Sequence, residues 1–253
     1  ALTATTSQTN VACNGASTGS ATVTASGGTG TITYSWSPSG GTGATASSLT
    51  VGTYVCTIKD ANTCSITKSF TITQPSAITA TTAQTNVACN GGNTGSATVN
   101  ATGGTGALTY SWSPSGGSGA TASSLTIGNY VCTIKDANNC TITKSFTITE
   151  PTAVTATTAQ TNVACNGAST GSATVTASGG TGTITYAWSP SGGTGATASS
   201  LAAGTYVCTL KDANNCSITK SFTITEPAAL TATTSQTNVA CNGASTGSAT
   251  VTA

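Results

Sequence analysis

The sequence predicts an all-β chain of β-sandwiches, one per 76 residues, arranged head to tail. Three observations carry this. Cys13, Cys89, Cys165 and Cys241 stand 76 residues apart, and so do Cys56, Cys132 and Cys208. A fixed period of this length marks a repeat architecture and settles the organisation before any local reading. Apolar residues alternate with Thr and Ser through "SATVTA", "TITYSW", "TYVCTIK" and "CSITKSFTIT", and no stretch has helical periodicity. Gly, Ser, Pro and Asn interrupt these runs every 8–12 residues or so, the spacing of short strands in a sandwich. The units are residues 1–76, 77–152 and 153–228, and residues 229–253 supply the first two strands of a fourth. Each seam ("TITQPSAIT", "TITEPTAVT", "TITEPAALT") carries one proline, at Pro75, Pro151 and Pro227. Proline cannot donate to a ladder, so it suits the end of one sheet and the start of the next.

In the first unit the strands expected are Leu2–Thr6 with Asn10–Cys13 (A), Ser20–Ala25 (B), Thr31–Trp36 (C), Ala44–Leu49 (E), Thr53–Lys59 (F) and Cys64–Thr73 (G). Residues 37–43, "SPSGGTG", form a loop or a weak edge strand. Alternation puts Ile32, Tyr34 and Trp36 on one face, joined by Val23, by Tyr54, Cys56 and Ile58, and by Ile66, Phe70 and Ile72. Thr and Ser take the outer faces. Lys68 falls in the inward row of G, either at a bulge or with its charged end reaching past the core.

The stretch "SSLTVGTYVC" makes the sandwich immunoglobulin-like. It places Leu49, Gly52, Tyr54 and Cys56 in the order of an E–F corner, where a Tyr two residues before a Cys bonds back to the chain. Tyr54, Tyr130 and Tyr206 are the three corner tyrosines expected, and Trp36 sits on strand C as it does in such domains. "DAN" is then the F–G turn. Asp60 suits its first position, and Asn139 and Asn215 suit a left-handed position better than Thr63 does. Lys59 and Asp60 are expected at an exposed turn.

The combination of Cys-Asn-Gly, Gly-Gly-Thr-Gly, Tyr-x-Trp-Ser-Pro, Gly-x-Tyr, Asp-Ala-Asn-x-Cys and a closing Glu/Gln-Pro resembles the SprB repeat, in all three copies and the partial fourth. That repeat fills giant cell-surface adhesins of gliding Bacteroidota. The resemblance implies an immunoglobulin-like fold, export by the type IX route, gliding motility as a setting, and a cell-surface filament. The family often has valine where this chain has Cys56, Cys132 and Cys208, so the resemblance says nothing of that third cysteine.

Ten cysteines point to disulfides and an oxidising, extracellular location. Spacings of 43 and 8 without histidine do not match zinc sites. If Asp60 lies opposite Cys64, then Cys56 lies opposite Lys68, too far from Cys64 for a bridge. Cys13 ends strand A and Cys56 begins F at the same end of the sandwich. The preferred bridges are therefore Cys13–Cys56, Cys89–Cys132 and Cys165–Cys208. Cys64, Cys140 and Cys216 sit at the opposite end, as free thiols or as links to the Cys13-type position of the repeat before.

Composition removes most other functions. Charged residues are 4% of the chain, against about a quarter in ordinary soluble domains. Net charge is +1, so no field draws nucleic acid or an anionic membrane. No apolar run approaches the roughly 20 residues of a membrane helix. His and Arg are absent, so general acid–base catalysis has no obvious actors and no enzyme is expected. "SGGTGT" lacks the Lys and following helix of a phosphate loop, and one Asp per repeat is too few for calcium. No cofactor or metal is expected. The chain reads as a window cut from a longer, processed protein. The leading function is the stalk of a surface adhesin or extracellular filament, its partners being neighbouring repeats and further copies of the chain. The alternative is an array of carbohydrate-binding modules, with Trp36, Trp112 and Trp188 stacked on surface polysaccharide. Ice binding by outward Thr rows is a third reading.

Overall fold

A computed structural model describes residues 1–253. The first repeat holds β1 (Thr3–Thr9), β2 (Gly19–Ser26), β3 (Thr33–Ser37), β4 (Thr45–Leu49), β5 (Gly52–Lys59) and β6 (Ser65–Ile72). The same six return as β7–β12 between Thr79 and Ile148, and as β13–β18 between Thr155 and Ile224. The last two strands are β19 (Thr233–Thr237) and β20 (Ser248–Thr252).

Each full repeat makes two three-stranded antiparallel sheets, β1-β2-β4 and β3-β5-β6 in the first. In sandwich lettering these are A-B-E and C-F-G, the immunoglobulin arrangement without strand D. Residues 38–44, where D would lie, form a loop. All three Ser-Pro bonds in this loop, at Pro38, Pro114 and Pro190, are cis.

The two sheets close on one apolar core. Ala21, Val23, Ala46 and Leu49 come from one, and Trp36, Tyr54, Cys56, Ile58, Phe70 and Ile72 from the other. The second and third cores repeat this list at Val87–Ile148 and Val163–Ile224, and no core borrows from another repeat. By compactness the chain divides into two units. One comprises 1–87 with 93–149 and contains two cores; the other comprises 88–92 with 150–253 and contains one core and the β19–β20 pair. Val251 on β20 and Val239, just after β19, are exposed.

Strand A departs from expectation. β1 runs unbroken to Thr9 against β2, and residues 10–13 leave the ladder. They cross to the end of β6, where Val11 N–H donates to Thr73 O (2.9 Å) and Thr73 N–H donates to Asn10 Oδ1 (3.1 Å). The Asn10 side chain takes a donor that a ladder partner would otherwise satisfy, so the strand can change sheets. Lys68 stands half-buried in a continuous β5–β6 register, so no bulge lies there.

The corner tyrosines donate to the chain four residues upstream: Tyr54 to Thr50 O, Tyr130 to Thr126 O and Tyr206 to Ala202 O, each at 3.2 Å. The Tyr130→Phe variant is expected to lose about 1 kcal/mol, the net value of one such bond. Urea denaturation at unchanged m-value checks it; no loss would mean the corner bond contributes nothing.

Candidate functional site

The F–G turn begins at an acid. Asp136 Oδ1 accepts N–H groups of Asn138 (2.9 Å) and Cys140 (2.8 Å), and Oδ2 accepts the N–H of Thr105 (2.9 Å). One carboxylate thus ties the turn to the Gly-Gly-Thr-Gly loop between B and C. Asp60 and Asp212 make the same three bonds. The expected exposed turn is therefore corrected at its acid: Asp60, Asp136 and Asp212 are buried, at 8%, 4% and 5% exposure. Three backbone donors converge there, and a carboxylate can satisfy all of them without a counter-charge. Gly28, at φ +77°, lets the B–C loop approach; a Cβ there would meet Asp60 Cβ at 3.1 Å. Thr63, Asn139 and Asn215 occupy the left-handed position (φ 65–67°).

Burial pushes the carboxyls of Asp136 and Asp212 up, but the three N–H donors outweigh it and hold them below the ordinary carboxylate value. A lowered folded pKa stabilises the fold above the unfolded value and loses that contribution as pH falls through the folded one. Thermal stability is expected to hold at neutral pH and to fall on acidification below about pH 4. The Asp136→Asn variant should flatten that acid limb; an unchanged limb would place the titrating group elsewhere.

The second half of the site is the Cys-Asn-Gly turn that follows strand A. Asn14 Nδ2 donates to Pro75 O (3.0 Å), and Gly15 N–H donates to the Gln74 side-chain oxygen (2.8 Å). In the later copies Glu takes the place of Gln. Gly91 N–H donates to Glu150 and Gly167 N–H to Glu226, each at 2.7 Å. Gly15 has φ +75° with open space around it, so conformation rather than room requires glycine. The closing Glu/Gln-Pro and the Cys-Asn-Gly motif are therefore one device, which fixes the cysteine at the seam.

The structure brings these two halves together through sulfur. Within the compact body of residues 1–87 and 93–149, Cys13 is bonded to Cys140, Cα to Cα 5.6 Å, and Asn138 Nδ2 donates to Ala12 O (2.9 Å). Within the compact body of residues 88–92 and 150–253, Cys89 is bonded to Cys216 at 5.5 Å, and Asn214 Nδ2 donates to Ala88 O (3.0 Å). Both separations suit a disulfide. Beside each bridge lies an open cavity, about 360 Å³ next to Ile78 and Asp136 and about 340 Å³ next to Val154 and Asp212. The side-chain nitrogen and oxygen atoms buried in the protein all have partners.

The preferred bridges Cys13–Cys56, Cys89–Cys132 and Cys165–Cys208 are not formed. Cys56 is not at the start of F but in the middle of β5, opposite Trp36 on one side and Lys68 on the other. Cys13 lies past the crossing to β6, beside the seam. Cys56, Cys132 and Cys208 are fully buried free thiols, and burial pushes their pKa up more than a backbone hydrogen bond lowers it. Of the three inter-repeat candidates, Cys140 and Cys216 are bridged to the Cys13-type position of the preceding repeat, and Cys64 is an exposed thiol. Cys165 and Cys241 are exposed thiols too. A native thiol titration is expected to count three reactive groups and an unfolded, non-reduced one six. Buried thiols that react at the rate of exposed ones would contradict the placement of Cys56, Cys132 and Cys208.

The tryptophans are not available for stacking on sugars. Trp36, Trp112 and Trp188 are 7–9% exposed, each donates Nε1–H to a loop carbonyl at 2.8–2.9 Å, and each packs on Phe70, Phe146 or Phe222 at 5.3 Å. This removes the basis for the carbohydrate-binding alternative. The protein has no group of three or more His, Cys, Asp or Glu side chains that could hold a metal, and no helix long and apolar enough to cross a membrane.

Three stretches, residues 5–43, 81–117 and 157–195, match the SprB repeat. Each runs from the first strand of a unit to the loop after its third. No curated protein matches the sequence. Solved structures similar to it include the N-terminal eight Ig domains of Down Syndrome Cell Adhesion Molecule isoform 1.30.30, at 11% identity over 89% of this chain and 43% of that one, with a TM-score of 0.35. Sidekick-1 immunoglobulin domains 1–5 are 14% identical over 89% of this chain and 59% of that one, at 0.29. Domains 1–6 of the surface layer protein SbsC are 12% identical over 99% and 49%, also at 0.29. The chain spans 43–59% of the length of these three.

Proposed function

We propose that this chain, which is built of SprB repeats, is a non-enzymatic stalk in a secreted cell-surface adhesin or extracellular filament, holding an attachment element away from the cell. One observation carries the reading. The polar motifs that recur in every copy go into joining a repeat to its neighbour. Asp136 shapes the turn that presents Cys140, Gln74 and Asn14 hold the turn that presents Cys13, and Asn138 bonds across. A unit whose motifs serve its own continuation adds reach without adding a unique site. Disulfides at those joints fit an oxidising location. The partners are neighbouring repeats and further copies of the chain, and gliding is the setting that the family resemblance implies.

Antibody labelling of intact cells tests the reading. The repeats should be labelled without permeabilisation and removed by external protease. Deleting 76 residues should shorten the projection seen by electron microscopy and leave attachment in place. Labelling only after permeabilisation, or attachment lost with a single repeat, would overturn it.

A further inference from the structure

The two bridges interleave along the sequence. Cys89 lies inside the loop closed by Cys13–Cys140, and Cys140 lies inside the loop closed by Cys89–Cys216. This follows from their spacing: each joins residues 127 apart, longer than the 76-residue period, so consecutive bridges must overlap. We propose that the interleaved bridges form a covalent strap that carries tension past the seams and limits how far the chain can lengthen. The proposal deepens the stalk reading and rests on it for the source of the load.

The argument is one of connectivity. Pull on residues 1 and 253, and the shortest covalent route decides when the chain is taut. It runs 12 links from residue 1 to Cys13 and crosses to Cys140. It then returns 51 links along the second repeat to Cys89, crosses to Cys216 and runs 37 links to residue 253. That is about 100 links in place of about 250, or roughly 350 Å of extended backbone in place of roughly 880 Å at about 3.5 Å per residue. Two longer routes, Cys13 to Cys89 and Cys140 to Cys216, have 76 links each and stay slack. They contain the seams at Pro75 and Pro151, which a chain without bridges would load directly. They also contain β2–β6 of the first repeat, β7 and β12 of the second, and β13–β17 of the third. Those strands can separate without lengthening the route between the bridges. Between the bridges the loaded route holds only β8–β11 of the second repeat, pulled between the Cys-Asn-Gly turn and the F–G turn; β1 and β18–β20 lie on the end segments outside the bridges.

The strap is redox-dependent. Opening each bridge takes two electrons and two protons and yields two thiols, so a phosphine reductant in water, itself oxidised to the phosphine oxide, releases it. Non-covalent ladders break one bond at a time under load; the strap holds until sulfur is reduced or a covalent bond is cut.

Single-molecule force spectroscopy on the 253-residue chain tests this, with handles on terminal peptide tags so that no thiol is consumed. Between the bridges the oxidised protein is expected to show one lengthening step, about two thirds of a repeat's contour (51 of 76 links), beside the release of the 12-link and 37-link end segments. Phosphine should convert this to three full-repeat steps, and so should Cys13→Ser with Cys89→Ser in oxidising buffer. Full-repeat steps in the oxidised wild type, or short steps that survive the double substitution, would overturn the strap. Neither outcome depends on where the protein is found in the cell, so a failed strap and a failed stalk assignment are told apart.

Discussion

Losing the bridge in the Cys140→Ser variant is expected to lower the stability of the first two repeats by about 3–5 kcal/mol and their Tm by more than about 10 °C. The bridge closes a loop of 127 residues, and a long loop has much conformational freedom to lose in the unfolded chain. The upper figure applies when both repeats unfold together. The lower applies when one unfolds on a folded neighbour, because the folded part shortens the effective loop. The loss also leaves Asn138 and Ala12 paired only by their hydrogen bond of 2.9 Å. Calorimetry of the oxidised wild type, the variant and the reduced wild type should put the variant between the other two, because the variant keeps Cys89–Cys216. A variant as stable as the wild type would mean that Cys13 and Cys140 are near one another without being bonded.

The Trp112→Ala substitution has an effect of similar size and a different cause. Removing a buried indole costs about 3–5 kcal/mol, as lost transfer energy plus the cavity left behind. Here it also strands the Gly119 carbonyl that accepts Nε1–H at 2.8 Å, and removes the ring packed on Phe146 at 5.3 Å. A 76-residue domain has only about 4–11 kcal/mol of stability in all. The second repeat of the variant is therefore expected to be open much of the time, while the other two, whose cores share no residue with it, stay folded. Limited proteolysis should cut between residues 77 and 152 first. An intact, stable variant would return Trp112 to the surface and revive a sugar-stacking role.

The strands were legible because a buried face and an exposed face alternate with period 2 along each of them. Tyr54, Cys56 and Ile58 all fall inside, and the loop, at 38–44 rather than 37–43, was visible as a run of Gly, Ser and Pro. The β5–β6 register was legible too, since a turn of fixed length from Asp60 to Cys64 sets every partner behind it. The depth of Asp60 was not: a carboxylate in a turn reads as exposed until the loop that donates to it, Gly28–Thr29, is seen to fold over. The disulfides were misread for a related reason. Alternation says which face a cysteine is on but not how far along the sandwich it lies. The crossing of residues 10–13 to β6, made by Asn10 and Gln8 side chains, moves Cys13 beyond the strand ends. The signal that could have placed it was the pairing of Cys-Asn-Gly with Glu/Gln-Pro in every copy.

Peptide mapping without reduction tests the central claim, that each repeat is bonded through sulfur to the one before. The protein is denatured at acidic pH with its free thiols blocked in the same step, and is then cleaved after lysine, at Lys59, Lys68, Lys135, Lys144, Lys211 and Lys220. Cys13 and Cys56 then fall on the same peptide, 1–59, whereas Cys140 and Cys216 fall on the short peptides 136–144 and 212–220. The account predicts that 1–59 is found joined to 136–144 and 69–135 joined to 212–220, with Cys56 and Cys132 carrying the blocking group. Peptides 1–59 and 69–135 each closed on themselves, with 136–144 and 212–220 blocked and unattached, would contradict it.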